Sequence, residues 1–370
     1  MEAKKDNRIK RYAKRYFVDA LGSMAKGLFA TLLTGTILSA FATLIGLAAG
    51  DQPSKFIEAI LAFLNAVVGV AQNGYVVGAA IGIAIAHGMK VSPLAIFSAA
   101  VTGAIGYTGG AGGAGPVGAY VAAIVGAELG GLVSGRTKVD ILVVPLVSIL
   151  TGGLVGYLLG APLGAFMRWL GGVIGTATYL SPVPMGIVIS VVIGLILTAP
   201  ISSAAICSMI FVINTETMDA STQYGLMLAA GAATVGCCCQ MVGFAAASFR
   251  ENRFGGLVSQ GIGTSMLQVP NIMRHPAILV PPTLAAAILG PISTTLLPMF
   301  NQGINAGMGT CGFVGQIGTY ITMLGMGESW ASVTIKVLLL HIILPAGLSL
   351  GFSEIMRRFG WIKKDDMLLS

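Results

Sequence analysis

Apolar runs of membrane-spanning length recur along the chain, separated by short polar breaks. The first runs from about Gly27 to Ala49 and ends at Asp51-Gln52-Pro53. Phe56–Ala71 and Tyr75–His87 are apolar but short, and the triplet Gln72-Asn73-Gly74 divides them. Such a pair predicts a helical hairpin or one discontinuous span, since irregular backbone at membrane depth survives only inside protein or beside a watery cavity. Leu94–Tyr107 and Val117–Val133 follow, then the basic loop Gly135-Arg136-Thr137-Lys138. Val139–Gly160 reads as a span containing Pro145, and Ala161–Leu180, with Arg168 and Trp169, as an amphipathic segment along the interface. Further runs end at Ala199, Ile213, Ser248 and Val269. Ala277–Leu297 carries Pro281, Pro282 and Pro291 and is expected to kink. Ser332–Phe352 is the last span. The pattern predicts an all-α polytopic membrane protein with about ten or eleven transmembrane helices, some of them re-entrant or broken.

Two stretches share a punctuation. Glycine stands at every third position in Gly103, Gly106, Gly109, Gly112, Gly115 and Gly118, followed by Tyr120 and Glu128. Gly303, Gly309, Gly312, Gly315 and Gly318 repeat it, followed by Tyr320 and Glu328, at a constant offset of 200 positions. Pro145 and Pro345 keep the same offset. A period of three drifts around a 3.6-residue helix, so these glycines do not form a simple stripe on one face. They predict broken helices, turns or close backbone contact, and the shared register predicts internal duplication with repeats at about 56–160 and 256–352. Arg136 and Lys138 put the loop after Glu128 on the inner side, while one span separates Glu328 from a cationic end. Those flanks make the repeat an inverted one.

Composition agrees with a membrane class. The chain has 370 residues, of which 55% are hydrophobic and 9% charged. About 25% charge is usual for a soluble protein. The net charge of +7 is concentrated at the ends and marks topology, not nucleic-acid binding. Segments 1–26 and 357–370 are therefore read as basic cytoplasmic flanks of a membrane domain at 27–356. Met1–Lys26 is too charged for a cleavable signal peptide. The five cysteines lack zinc-site spacing, and no metal or other cofactor is expected. No Walker motif, nucleophile–base pair or metalloprotease pattern is present, so the chain reads as a transport component with no catalytic residues.

Polar groups inside spans are expensive and mark function. The candidates for contact with a small polar solute are Gln72, Asn73, Asn214, Glu216, Asn301, Asn305, Thr310 and Gln316. Carboxamides both donate and accept, which suits sugar hydroxyls. For Gln72 and Asn73 a helix-capping turn is an equal alternative; for Glu216, a loop acid at the surface. Gln268 and Asn271 stay open between binding and structure. His341 is a single intramembrane histidine with no evident partner. Gly109, Gly112, Gly115, Gly118, Gly312, Gly315 and Gly318 are hinge or packing candidates.

The stretches "GTSMLQVPN" (263–271), "APISSAAI" (199–206) and "NAGMGTCGFVGQIGTY" (305–320) resemble the EIIC-like membrane proteins of the bacterial phosphotransferase system, in the PfoR-type branch. The resemblance runs through about 28–352. It implies a sugar permease of the bacterial inner membrane, usually a homodimer, moving a substrate-carrying domain across the bilayer. Separate or fused IIA and IIB proteins would phosphorylate the solute. Thr215-Glu216 is at most an echo of the Gly-Ile-Thr-Glu-type motif of glucose-superfamily permeases. Two other readings stand beside this one: a solute sensor without transport, and an H⁺- or Na⁺-coupled transporter with Glu216 as carrier.

Overall fold

The computed structural model of the chain describes residues 11–12, 14–49, 54–109, 114–199, 202–215 and 218–369. Helix is the only regular structure among the described residues. Among the described residues, six helices are long and apolar enough to cross a membrane, or seven if the pair Lys55–Ala71 and Gly74–Gly88, bent by 56°, is one broken span. The apolar helices Pro93–Thr108 and Pro182–Thr198 fall just short of that length. This is an all-α polytopic membrane protein with fewer full-length spans than the apolar runs suggest. Val139–Gly160 and Ala161–Leu180 form one helix of 41 residues, Asp140–Leu180, with Pro145 and Pro162 inside it. The runs ending at Ile213 and Val269 yield only short helical pieces.

The chain divides into two compact units, the boundary falling between Met167 and Arg168. In unit 1, a π-helical stretch at Lys14–Ala20 leads into α1 (Leu21–Leu28) and α2 (Thr34–Ala49). Then come α3 (Lys55–Ala71), α4 (Gly74–Gly88), α5 (Pro93–Thr108), α6 (Gly115–Val133) and the first part of α7 (Asp140–Leu180). The core of this unit is the mutual packing of α4, α5 and α6. Glycine makes it possible: a Cβ on Gly103 would stand 2.2 Å from the Gly78 carbonyl oxygen, and one on Gly106 2.3 Å from that of Gly118. The period-three drift thus turns Gly103 toward α4 and Gly106 toward α6. Gly109 caps α5, and Gly115 opens α6 in the left-handed region at φ 56°. Gly112 lies outside the described residues. The Lys14–Ala20 stretch is held on α6 by Arg15 Nε, which donates to Glu128 Oε1 at 2.6 Å, and by Tyr120 OH, which donates to the Tyr16 carbonyl at 2.8 Å.

Unit 2 holds the rest of α7, then α8 (Pro182–Thr198), α9 (Ser203–Ile210), α10 (Ala220–Ala247) and α11 (Phe249–Val258). It continues through α12 (Val269–Arg274), α13 (Val280–Thr294), α14 (Gly303–Ala306), α15 (Val314–Gly325), α16 (Trp330–Val337) and α17 (Leu344–Arg358). Helix α10 is the centre, packed by α8, α13 and α17. It is buried over 89% of its most apolar window, which leaves it almost no lipid-facing side. Its small residues explain this, because Gly231 and Gly236 admit neighbouring backbone that any Cβ would strike. Its N-cap is Asp219, whose carboxylate accepts from the Thr222 backbone at 3.2 Å. Hydrogen bonds from Ser221 and Thr222 hold that carboxyl down at about 2. Cys237, Cys238 and Cys239 are buried packing groups on α10, and no metal-holding cluster occurs among the described residues. In α13, Pro281 and Pro282 fall in the first turn, where an amide N–H has no helical partner to lose. Only Pro291 lies inside that helix.

Lys336 sits on α16 with its ammonium bound to both oxygens of Glu328, at 2.9 and 2.8 Å, and to the Pro298 carbonyl at 3.2 Å. The pair is largely buried, so losing one partner strands the other. Lys336→Met is expected to cost about 2 kcal/mol, the scale of a hydrogen bond to a charged group. A thermal melt in detergent checks this. Glu328→Gln added to that variant should cost little more, whereas additive losses would deny the coupling.

Candidate functional site

Unit 2 concentrates uncharged hydrogen-bonding side chains between α10, α15 and the last helical run. Pro345 starts the arrangement. It has no N–H for the His341 carbonyl, and the helix widens into a π-turn at Leu338–Ile343 just before it. His341 lies in that turn with its ring fully buried. Its Nδ1 is 3.2 Å from Gln316 Nε2, which is also 3.4 Å from Cys238 Sγ. Gln316 is placed by α15, after a backbone reversal in which Gly309, Gly312 and Phe313 all take left-handed φ. Among the described residues, Gln316 Oε1 and His341 Nε2 are buried with no hydrogen-bond partner.

The chemistry of that pair does not depend on how its hydrogens are assigned. If the amide donates to Nδ1, the unfilled atoms are a carbonyl acceptor and an N–H donor. If the amide is flipped and Nδ1 carries the proton, they are an amide donor and an imine-type acceptor. Either way the pair offers one donor and one acceptor. A hydroxyl group, which both donates and accepts, has the matching chemistry. An unfilled buried polar atom costs about 1–3 kcal/mol, which argues against leaving two of them empty.

Asn301 is placed differently. It is fully buried, and its Nδ2 reaches Thr234 Oγ1 at 2.9 Å, the Gly315 carbonyl at 3.1 Å and Thr319 Oγ1 at 3.3 Å. Its Oδ1 accepts from the Gln302 backbone at 2.8 Å. This amide is saturated by protein and fixes α15 against α10. Asn305 packs on Gly318, where a Cβ would stand 2.5 Å from it. A Cβ on Gly315 would stand 2.3 Å from the Gly309 carbonyl oxygen. Thr310 donates to the Gly261 carbonyl. Asn301, Asn305 and Thr310, with Gln316, therefore share one region of unit 2. Asn214 is half-buried in the loop after α9, and its carbonyl accepts from Met218 N. Glu216 lies outside the described residues. Gln72 and Asn73 belong to unit 1, both exposed: Gln72 ends α3 and Asn73 caps α4 through Oδ1 and Tyr75 N at 3.0 Å.

Sequence reasoning passed over two groups. His341 lacked an evident partner because Gln316 lies 25 positions earlier. Pro345, four residues after it, was the usable clue. Gln240 stood unremarked beside the cysteines, yet it is fully buried. It accepts from Thr198 Oγ1 at 3.2 Å and donates to Thr283 Oγ1 at 3.1 Å, joining α8, α10 and α13. Thr198 also pairs with Ser265 at 2.9 Å. Among the described residues, Gln316 and His341 hydrogen-bond to each other and Gln316 to the Cys238 thiol, partners that carry no fixed charge.

The family model described as "Phosphotransferase system, EIIC" matches residues 18–369. Comparison with curated proteins and with solved structures finds no match. Because that family match spans almost the whole chain, over an all-helical membrane fold, the chain belongs to the phosphotransferase system EIIC family, the sugar-type permease component of the bacterial inner membrane, which leaves phosphorylation to other proteins.

Proposed function

We propose that the chain is a permease for a small, polar, sugar-like solute, and that unit 2 receives a solute hydroxyl at Gln316 and His341. The observation that carries this reading is the buried donor–acceptor pair with no hydrogen-bond partner among the described residues. Asn301, Asn305 and Thr310 shape the surrounding wall. Gln72, Asn73, Asn214 and Glu216 remain candidate contacts from elsewhere in the chain.

In this reading the solute moves by alternating access between repeats at about 56–160 and 256–352. One correspondence supports the pairing. Tyr120 and Glu128 both grip the helical stretch at 15–16, while Tyr320 OH donates to Thr334 Oγ1 at 2.8 Å and Glu328 binds Lys336. The same two side chains, eight positions apart, clamp a neighbouring helix in each half. The glycines at 109, 112, 115, 118, 312, 315 and 318 would then act as packing points and hinges. We place the protein in the PfoR-type branch, as a homodimer with cytoplasmic termini, working with separate IIA and IIB proteins.

Uptake into proteoliposomes tests the reading. Radiolabelled sugar should accumulate only when phosphorylated IIA and IIB proteins are supplied at the accessible cytoplasmic face. Uptake driven by an H⁺ or Na⁺ gradient alone would make it a secondary transporter. Saturable binding with no flux under either condition would make it a sensor.

A further inference from the structure

The segment after α17 returns to unit 2 and is held there as a peptide ligand would be. Gly360, at φ 74°, makes the reversal: its N–H bonds the Arg357 carbonyl and the Trp361 N–H bonds that of Met356, each at 3.0 Å. Asp365, at φ 67°, turns the chain again. Asn252 then pairs with the main chain on both sides of Leu368. Its Nδ2 donates to the Met367 carbonyl and its Oδ1 accepts from Leu369 N, each at 2.8 Å. Gln268 Nε2 donates to the same Met367 carbonyl at 2.9 Å, and Asn271 Nδ2 to that of Leu368 at 2.9 Å. The Met367 side chain is fully buried among Phe244, Ala247, Ile278, Met356 and Ile362. Asp366 lies 3.5 Å from His275 Nδ1.

We propose that unit 2 carries a peptide-binding groove, filled in cis by residues 366–369, and that this occupant exchanges with a free peptide of the same sequence. Three observations carry it. The amides of Asn252, Gln268 and Asn271 hydrogen-bond the main chain just after the turn at 364–367, contacts that do not depend on the occupant's side chains. A single apolar anchor, Met367, supplies the burial. The flanking Lys363, Lys364 and Asp365 are exposed, and beyond the local turn in which Lys363 N donates to Asp366 Oδ2 at 2.7 Å the contacts that fasten the segment come from the groove. The groove wall is itself irregular: Gln268 Nε2 also bonds Gln260 Oε1 at 2.8 Å, on a stretch that runs from a π-turn at Ser259–Gly263 into a 3₁₀ turn at Ser265–Gln268. That stretch includes Gly261, the acceptor of Thr310. Occupancy of the groove therefore orders 259–268 and, through it, the backbone beside Thr310.

The test uses the full chain in detergent and a fluorescein-labelled peptide, Lys-Asp-Asp-Met-Leu-Leu-Ser, read by anisotropy. Met367→Asp expels the cis segment. The peptide should bind this variant about tenfold or more tighter than the native chain, whose groove is already filled at high effective concentration. Adding Asn252→Leu should return binding to the native level. Equal binding to native and Met367→Asp protein would overturn exchange. If Met367→Asp is not monodisperse, Asn252→Ala serves instead, with trypsin cleavage after Lys363 and Lys364 followed by mass spectrometry. Cleavage should accelerate about tenfold, and an unchanged rate would overturn the groove.

Discussion

Gly236→Ala is expected to lower the stability of the folded protein by about 3 kcal/mol or more. A Cβ at 236 would stand 1.9 Å from the Ser190 carbonyl oxygen and 2.6 Å from its carbon, so it meets backbone and no flexible side-chain tip. The only relief is separation of α8 from α10. That would strain the Thr198–Gln240 hydrogen bond one turn further along and open the core of Ile189, Ile193 and Ala233. Overpacking a tight core costs about 1–3 kcal/mol, and a clash against backbone belongs at or above the top of that range. Against a total stability of about 5–15 kcal/mol, one such change is a large share. Gly231→Ala is a second instance, its Cβ 1.8 Å from the Met299 carbonyl oxygen. Combining the two should leave no monodisperse peak in size exclusion. Gly347→Ala is the control, since nothing lies within 4 Å of its Cβ and α17 gains a better helix former. A melting temperature for Gly236→Ala within a degree or two of native would refute the packing described for α10.

Gln316→Ala is expected to weaken solute binding by at least about tenfold while the protein still folds, equivalent to about 1.4 kcal/mol. The variant removes half of the unfilled pair and leaves His341 without its only hydrogen-bond neighbour among the described residues. His341→Phe should lose a similar amount. The double variant should lose less than the sum, because both side chains serve one hydroxyl. Asn301→Ala behaves oppositely in this account. Its amide is spent on Thr234, Gly315, Thr319 and Gln302, so its loss should lower the melting temperature more than the affinity. The probe is whichever sugar or polyol gives the largest thermal shift, and the readout is calorimetric affinity. Unchanged affinity in both Gln316→Ala and His341→Phe would dismiss the site.

The membrane class was legible because hydropathy is a sum over many residues and tolerates local error. Element boundaries were not. Arg168 and Trp169 suggested a separate interfacial segment from Ala161 onward, but one helix runs on through Pro162 to Leu180, since a proline removes only one hydrogen bond. Pro281 and Pro282 misled in the same way, since their position in the first turn carries no cost. The candidate site was half legible. Gln316 and Asn305 stood out in the glycine-rich stretch. Nothing local separated a saturated amide such as Asn301 from an unsatisfied one such as Gln316, because satisfaction depends on Thr234 and Thr319 from other helices. Gln268 and Asn271 stayed ambiguous for the same reason: their partners, Met367 and Leu368, lie about a hundred positions away.

Helix α10 raises a question of order in biosynthesis. A helix with so little surface for lipid must still enter the bilayer as it leaves the ribosome, before α13, α15 and α17 have been made. At that moment Thr283, which later receives the Gln240 amide, and Asn301, which later donates to Thr234, do not yet exist. What does exist is α8, with Ser190 against Gly236 and Thr198 against Gln240, and the end of α7, with Gly175 against Gly225. These earlier helices can shield the polar side of α10 from hydrocarbon during insertion. The glycine contacts along α10 are then needed twice, first to let a nascent hairpin persist in the membrane, and later to receive the helices that enclose it.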